Sequence, residues 1–338
     1  MEVTRSVPPD WNRILNGASP GNVFHTPGWA DYRTRTASIA PLYFVARCPD
    51  AVHAPVGAAL AFEVPLLGSR LRPVAWRLAF DSSPIPAHAG AAFTEALVAW
   101  GRSRRGLVSM ELGSLDGDWK TARLKTPQRR LEFVVDVSGG DDLQGRMRKS
   151  TRYEIRRATR HGVAVSLARD AADVEAFVKL HAATLEDLAL RKNVASPRVP
   201  GNAMTAAVQG LISADSADIF IARLDGAPIS ACLFGYAGRT AYYLLNGSSP
   251  AAREHAGTHV TIATALEAFR DRRFEAVNLG GVPAESTAPH HPDHGLYAFK
   301  RGFGAEVVAR TGGMLVLQPR RARAVARARR SLKRVSSG

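Results

Sequence analysis

The 338-residue sequence has little cysteine, only Cys48 and Cys232. They lack any CxxC spacing and lie in apolar stretches, which argues against a disulfide framework and fits a reducing compartment. No run approaches the ~18 uninterrupted apolar residues of a membrane span. The opening Met1-Glu2-Val3-Thr4-Arg5 carries no apolar leader, so the expected location is cytoplasmic. Neither a P-loop nor a dinucleotide-binding glycine fingerprint is present. Acid is also scarce, 30 Asp and Glu against 45 Lys and Arg, for a net charge of +15. From Pro319 to Gly338 there is no acid and no aromatic residue, only Arg320, Arg321, Arg323, Arg327, Arg329, Arg330, Lys333 and Arg334 among the charged ones. The rest of the chain stays positive without that tail. A field of this sign attracts polyanions: nucleic acid, phosphorylated substrates or an anionic membrane surface.

What is present is ordinary globular material, with 46% hydrophobic and 22% charged residues. Strand patterns fall at Pro41–Ala46, Val56–Pro65, Pro73–Phe80, Leu107–Leu112 and Leu131–Val137, with a helix at Ala89–Arg104. Asp141–His161 then reads as one strongly basic helix stopped by Gly162. After a strand at Val163–Leu167 come helices at Ala171–Leu190 and Ala203–Ala214. Three strand runs follow, the first two joined by Asp225-Gly226, a hairpin signal. A helix at Gly257–Arg272, a strand at Ala276–Leu279, the stretch Tyr297–Gly304 and strands near Val307 and Leu315 close the pattern. The class is α+β with mixed sheets.

Four segments, in order, resemble the Fem-type (FemABX) transferases of the GNAT superfamily. They are Phe24-His25-Thr26-Pro27-Gly28-Trp29-Ala30-Asp31-Tyr32-Arg33, Arg148-Lys149-Ser150-Thr151-Arg152-Tyr153-Glu154-Ile155-Arg156-Arg157-Ala158, Asn278-Leu279-Gly280-Gly281, and Gly295-Leu296-Tyr297-Ala298-Phe299-Lys300-Arg301-Gly302-Phe303-Gly304. The resemblance implies a tandem GNAT-like, two-lobed acyltransferase fold. The first lobe would span 1–143, completed by 314–338, and the second 144–313. It also implies an amine acceptor meeting an activated acyl donor, which in the best-known members is aminoacyl-tRNA, with a peptidoglycan precursor as acceptor.

Acyl transfer to an amine passes through an oxyanion, and a fixed cation beside that oxygen stabilises the transition state. The resemblance assigns that role to Lys300, with Phe299 walling the site. Arg33 offers a bidentate fork to phosphate or carboxylate, and the resemblance places Trp29 beside it and Arg191 as a further contact for the acceptor. Tyr243 and Asn246 on a strand end, Asn278 and Gly281 at the next, and Tyr297 complete the expected substrate-binding set. Arg148, Arg152, Arg156 and Arg160 recur every four residues and form a stripe for an anion or nucleic acid. His290-His291-Pro292-Asp293-His294 has neither the partners nor the spacing of a metal site, and no metal or cofactor is expected. The CoA-binding pattern of acetyl-CoA-dependent GNATs is met only imperfectly, by Arg253-Glu254-His255-Ala256-Gly257-Thr258-His259.

These readings converge on transfer of an aminoacyl group from aminoacyl-tRNA to an amine of a peptidoglycan precursor or peptide-like metabolite. Two alternatives stand beside it. One is an acyl-CoA- or acyl-carrier-dependent N-acyltransferase in surface-polymer or metabolite synthesis. The other is a non-catalytic protein that binds RNA or, through the basic tail, an anionic membrane.

Overall fold

The computed structural model describes residues 1–17, 21–37, 39–47, 55–67, 75–85, 90–115, 119, 124–139, 142–194 and 199–336. The chain runs β1 (Glu2–Thr4), α1 (Trp11–Gly17), α2 (Pro27–Ala37), β2 (Ala40–Arg47), β3 (Pro55–Pro65), β4 (Trp76–Ser82), α3 (Gly90–Arg102), β5 (Leu107–Leu115) and β6 (Thr126–Asp136). It continues through α4 (Leu143–Arg146), α5 (Lys149–Arg160), β7 (Ala164–Leu167), α6 (Ala171–Lys192), α7 (Gly201–Ser213), β8 (Ala217–Leu224), β9 (Ala227–Ala237) and β10 (Thr240–Ser248). It ends with α8 (Pro250–Glu254), α9 (Gly257–Asp271), β11 (Ala276–Pro283), α10 (His294–Arg301), β12 (Glu306–Val316) and α11 (Pro319–Ser336). Cys48, the first residues of the strand predicted from Pro73, and Ala89 lie outside the described residues. Among those described, no helix is long and apolar enough to cross a membrane.

Contacts divide the chain into two compact units, one of Met1–Ser19, Ser38–Arg130 and Ala309–Gly338, the other of Pro20–Ala37 and Leu131–Val308. Pro20–Ala37, expected in the first lobe, therefore belongs to the second unit.

In the first unit the strand order is β1-β2-β3-β4-β5-β12, antiparallel except for β4 beside β5. Leu42, Phe44 and Ala46 on β2 alternate inward, as do Ala59 and Ala61 on β3 and Leu78 and Phe80 on β4. That is the period of two expected for a face packed on a helix. Phe93, Leu97 and Val98 on α3 pack into the same cluster. The basic tail forms α11, which rests on Ala75 and Val108 through Ala322 and Val325.

The second unit has the order β6-β11-β10-β9-β8-β7. Its hairpin turn is where the sequence puts it: Asp225 (φ 50°) and Gly226 (φ 80°) both take the left-handed conformation such a turn needs. Phe220, Phe234, Phe269 and Phe274 form a nest of ring contacts at 4.9–5.8 Å. Fully burying one such side chain stabilises the fold by about 1.5–3 kcal/mol. α2 lies against α7, with Gly28 facing Leu211 and Ala214, and the Tyr242 hydroxyl donates to the Gly21 carbonyl at 3.0 Å.

Two elements differ from the sequence pattern. The strands expected near Val307 and Leu315 are one strand, β12. The basic helix predicted over 141–161 is interrupted after Arg146, because Met147 turns extended (φ −71°, ψ 150°) and is buried. The Arg148 N–H then donates to the Gly302 carbonyl at 2.9 Å instead of continuing α4.

Candidate active site

β10 and β11 are parallel and pair at only three positions, Thr240–Ala276, Ala241–Val277 and Tyr242–Asn278. Both strands run on, to Ser248 and Pro283, without pairing further. β10 stays paired to β9 on its other side, but with a bulge between Tyr243 and Leu245. A bulge bends the strand that carries it. The backbones beyond Tyr242 and Asn278 thus part and leave a gap.

Lys300 enters at the start of this gap. It sits in α10 and is 7% exposed, a rare position for a lysine. Its Nζ lies 3.3 Å from where a Cβ would stand on Gly280, and the Tyr243 carbonyl is 3.7 Å from the same point. Gly280 has φ 74°, a left-handed conformation that glycine adopts without strain. Its missing side chain leaves the space beside the ammonium.

Gly280 is held by Asn278, whose side-chain oxygen accepts from the Gly280 N–H at 2.8 Å. The Asn278 amide nitrogen in turn donates to Glu132 Oε2 at 3.0 Å. Asn278 and Glu132 are both buried, at 2% and 0% exposure. A buried carboxyl group needs such hydrogen-bond partners away from water. Glu132, on β6, thereby anchors the stretch of β11 that borders Lys300.

Next to Lys300 on α10, the Phe299 ring meets His259 edge-on at 4.8 Å and Phe303 at 5.2 Å. Burial lowers the His259 pKa, so the imidazole is neutral at neutral pH. Together these side chains give a dry wall beside a fixed cation, an arrangement suited to stabilising negative charge on a carbonyl oxygen.

Comparison with known proteins bears on this geometry. Residues 145–301 match the family model described as an acetyltransferase (GNAT) domain. The UDP-N-acetylmuramoylpentapeptide-lysine N(6)-alanyltransferase of Weissella viridescens is 26% identical over 181 residues, which cover 53% of this chain and half of that relative. The crystal structure of FemX aligns with 94% of this chain and 96% of its own at a TM-score of 0.66 and 13% identity. The chain thus carries a GNAT-domain match over residues 145–301 and shares the fold of FemX. L-PGS from Bacillus licheniformis shares the fold at a TM-score of 0.52, with 13% identity over 93% of this chain and 92% of its own.

The Fem-like segments of α5, β11 and α10 meet one another, whereas the segment at Phe24–Arg33 packs on α7 and Tyr242. Trp29 is buried, stacked on Tyr32 at 5.0 Å and edge-on to Phe24 at 5.1 Å. It is a core residue that fixes α2. Arg33 follows it, half-buried, with its charge acting on the Tyr32 hydroxyl. That hydroxyl lies 3.8 Å from Met204 Sδ. Met204 lines a groove of about 1090 Å³ between α6 and α7, along with His181, Leu185 and Asn193.

The Tyr243 ring packs toward Phe234 at 5.3 Å, and its hydroxyl accepts from the Cys232 thiol at 3.9 Å. Burial pushes its pKa well above the ordinary phenol value. Its carbonyl borders Gly280, while its half-buried side chain packs against the core. Asn246 presents its carbonyl to His181 Nδ1 at 2.7 Å, and a Cβ on the next residue, Gly247, would overlap the His181 backbone nitrogen. This stretch therefore seats α6 on β10. Gly281 is half-buried on β11, and Tyr297 is set edge-on to Phe133 at 5.6 Å. Arg191 is exposed and paired with Asp187, which also pairs with Arg253 at 3.1 Å.

Of the predicted arginine stripe, Arg152, Arg156 and Arg160 lie on α5 and Arg148 at its start. Arg148 is the N-cap residue, and Arg152 Nη1 donates to the carbonyls of Gly145 and Met147, both at 2.9 Å. Arg156 and Arg160 remain exposed. In the histidine-rich loop, His291 Nδ1 accepts from the Asp293 N–H at 3.0 Å and His294 Nδ1 meets the Ser286 carbonyl at 3.0 Å. These rings order a turn. Sequence reasoning passed over Glu132 and His259. Glu132 reads as the outward residue of a half-buried strand. His259 reads as a defect in a CoA pattern.

Proposed function

We propose that this Fem-like protein is a cytoplasmic N-acyltransferase that moves an aminoacyl group from aminoacyl-tRNA to the amine of a peptidoglycan precursor or peptide-like metabolite. The observation that carries the reading is the buried Lys300 ammonium held against Gly280 where β10 and β11 part. The positive charge of the chain supports a polyanionic donor. The partial likeness to an alanyltransferase supports an aminoacyl group.

The chemistry needs no covalent enzyme intermediate. The acceptor amine attacks the ester carbonyl, an amide bond forms, and the ester C–O bond breaks. The proton lost by the amine passes to the departing ribose hydroxyl. Lys300 stabilises the oxyanion formed between these steps, while Phe299 and Phe303 keep water from the ester. Arg33 anchors an anionic group of the acceptor by bidentate pairing.

The test is a transfer assay with radiolabelled aminoacyl-tRNAs, candidate amine acceptors and a parallel acetyl-CoA reaction. Label moves from tRNA to an amine, and Lys300→Met lowers kcat by about 10²–10³-fold with little change in KM. Transfer from acetyl-CoA alone would overturn the donor assignment.

A further inference from the structure

α5 carries a surface that the arginine spacing in the sequence conceals. Thr151, Ile155 and Ala158 are its buried face. At 3.6 residues per turn, the opposite ridge is Lys149, Tyr153, Arg156 and Arg160, within about 60° of arc and about 16 Å long. All four are exposed, Tyr153 to 53%. The nearby acid, Glu154, is held by Arg157 through two hydrogen bonds. Among the described residues no ion pair involves Lys149, Arg156 or Arg160.

Three cations flanking an exposed aromatic ring are the elements of a single-stranded nucleic-acid platform. The cations follow the phosphates and the ring stacks on a base. A helix lying on an anionic membrane would need an apolar face to insert, and this ridge holds no aliphatic side chain beside the Tyr153 ring. The opposite, buried face of α5 ties the helix to the site. A Cβ on Gly302 would overlap Thr151 Oγ1, and one on Gly304 would come within 2.9 Å of the Arg146 carbonyl. With the Arg148–Gly302 hydrogen bond, these close approaches clamp the start of α5 to the end of the helix bearing Lys300.

We infer that Lys149, Tyr153, Arg156 and Arg160 form the docking strip for the single-stranded acceptor end of the donor RNA, leading its aminoacyl ester toward Lys300. This rests on the proposed aminoacyl-tRNA reading, which it extends to a definite surface.

Full-length protein is titrated with fluorescent tRNA at several salt concentrations, and KM for aminoacyl-tRNA is measured in parallel. The triple variant Lys149→Gln/Arg156→Gln/Arg160→Gln flattens the salt slope by about 2. Tyr153→Leu weakens binding about tenfold and leaves the slope unchanged. Arg320→Gln/Arg323→Gln/Arg327→Gln on α11 removes the same charge and serves as the control. Equal losses in the control, or wild-type binding and KM in both ridge variants, overturn the strip. So does loss of sedimentation with phosphatidylglycerol vesicles in the triple variant while tRNA binding persists. Transfer that proceeds with unchanged KM in the ridge variants would remove the strip and leave the transferase reading intact. Ridge-dependent tRNA binding without any transfer would do the reverse.

Discussion

Lys300 is held by a chain of three residues. Glu132 holds Asn278, Asn278 holds the Gly280 amide, and Gly280 makes room for the ammonium. The sequence points to Lys300, Asn278 and the glycines through their family pattern. Nothing local marks Glu132, because its burial follows from which strand becomes its neighbour. Replacing one partner of a buried polar pair costs more than the bond itself, since the other is left desolvated. Asn278→Leu is therefore expected to destabilise the protein by about 1–3 kcal/mol in urea unfolding. The double variant Glu132→Leu/Asn278→Leu recovers part of that loss. A single variant as stable as the parent would mean that Glu132 finds its main partner elsewhere.

At the scale of elements, most strands and helices are legible because their apolar periods match their environments. The failures have a common cause. The break at Met147 comes with docking on a distant segment, the Gly302 carbonyl, against a local pattern that would have continued. The same applies to Asn246-Gly247, whose place on a strand end suggests substrate contact. Its glycine is required by the α6 backbone lying directly over it. Gly247→Ala should separate α6 from β10, lower the melting temperature by several degrees, and perturb the groove lined by His181. An unchanged melting curve would show that α6 tolerates the displacement.

At the scale of the molecule, two imidazoles, the buried His181 and the half-buried His259, have lowered pKa values, each through desolvation first. The folded state then binds fewer protons than the unfolded one below the ordinary histidine pKa of about 6.5. The stability they contribute is complete above that value and is lost as pH falls through the folded pKa values. Melting temperature should thus drop by a few degrees from pH 7 to pH 5, and His259→Phe should reduce the drop. A pH-independent melting temperature over that range would contradict the burial assigned to both rings.

α2 belongs to the second unit yet precedes most of the first in the chain. More than 160 residues separate Ala37 from Gly201, where its packing partner α7 begins. At ribosomal speeds of ~5–20 residues per second, α2 waits about ten to thirty seconds for that partner to be made. During this interval Phe24, Trp29 and Tyr32, all buried in the finished fold, have no surface to settle on. The nascent chain is then a sticky, exposed intermediate, and its yield in the cell depends on chaperone supply as much as on the stability of the completed protein.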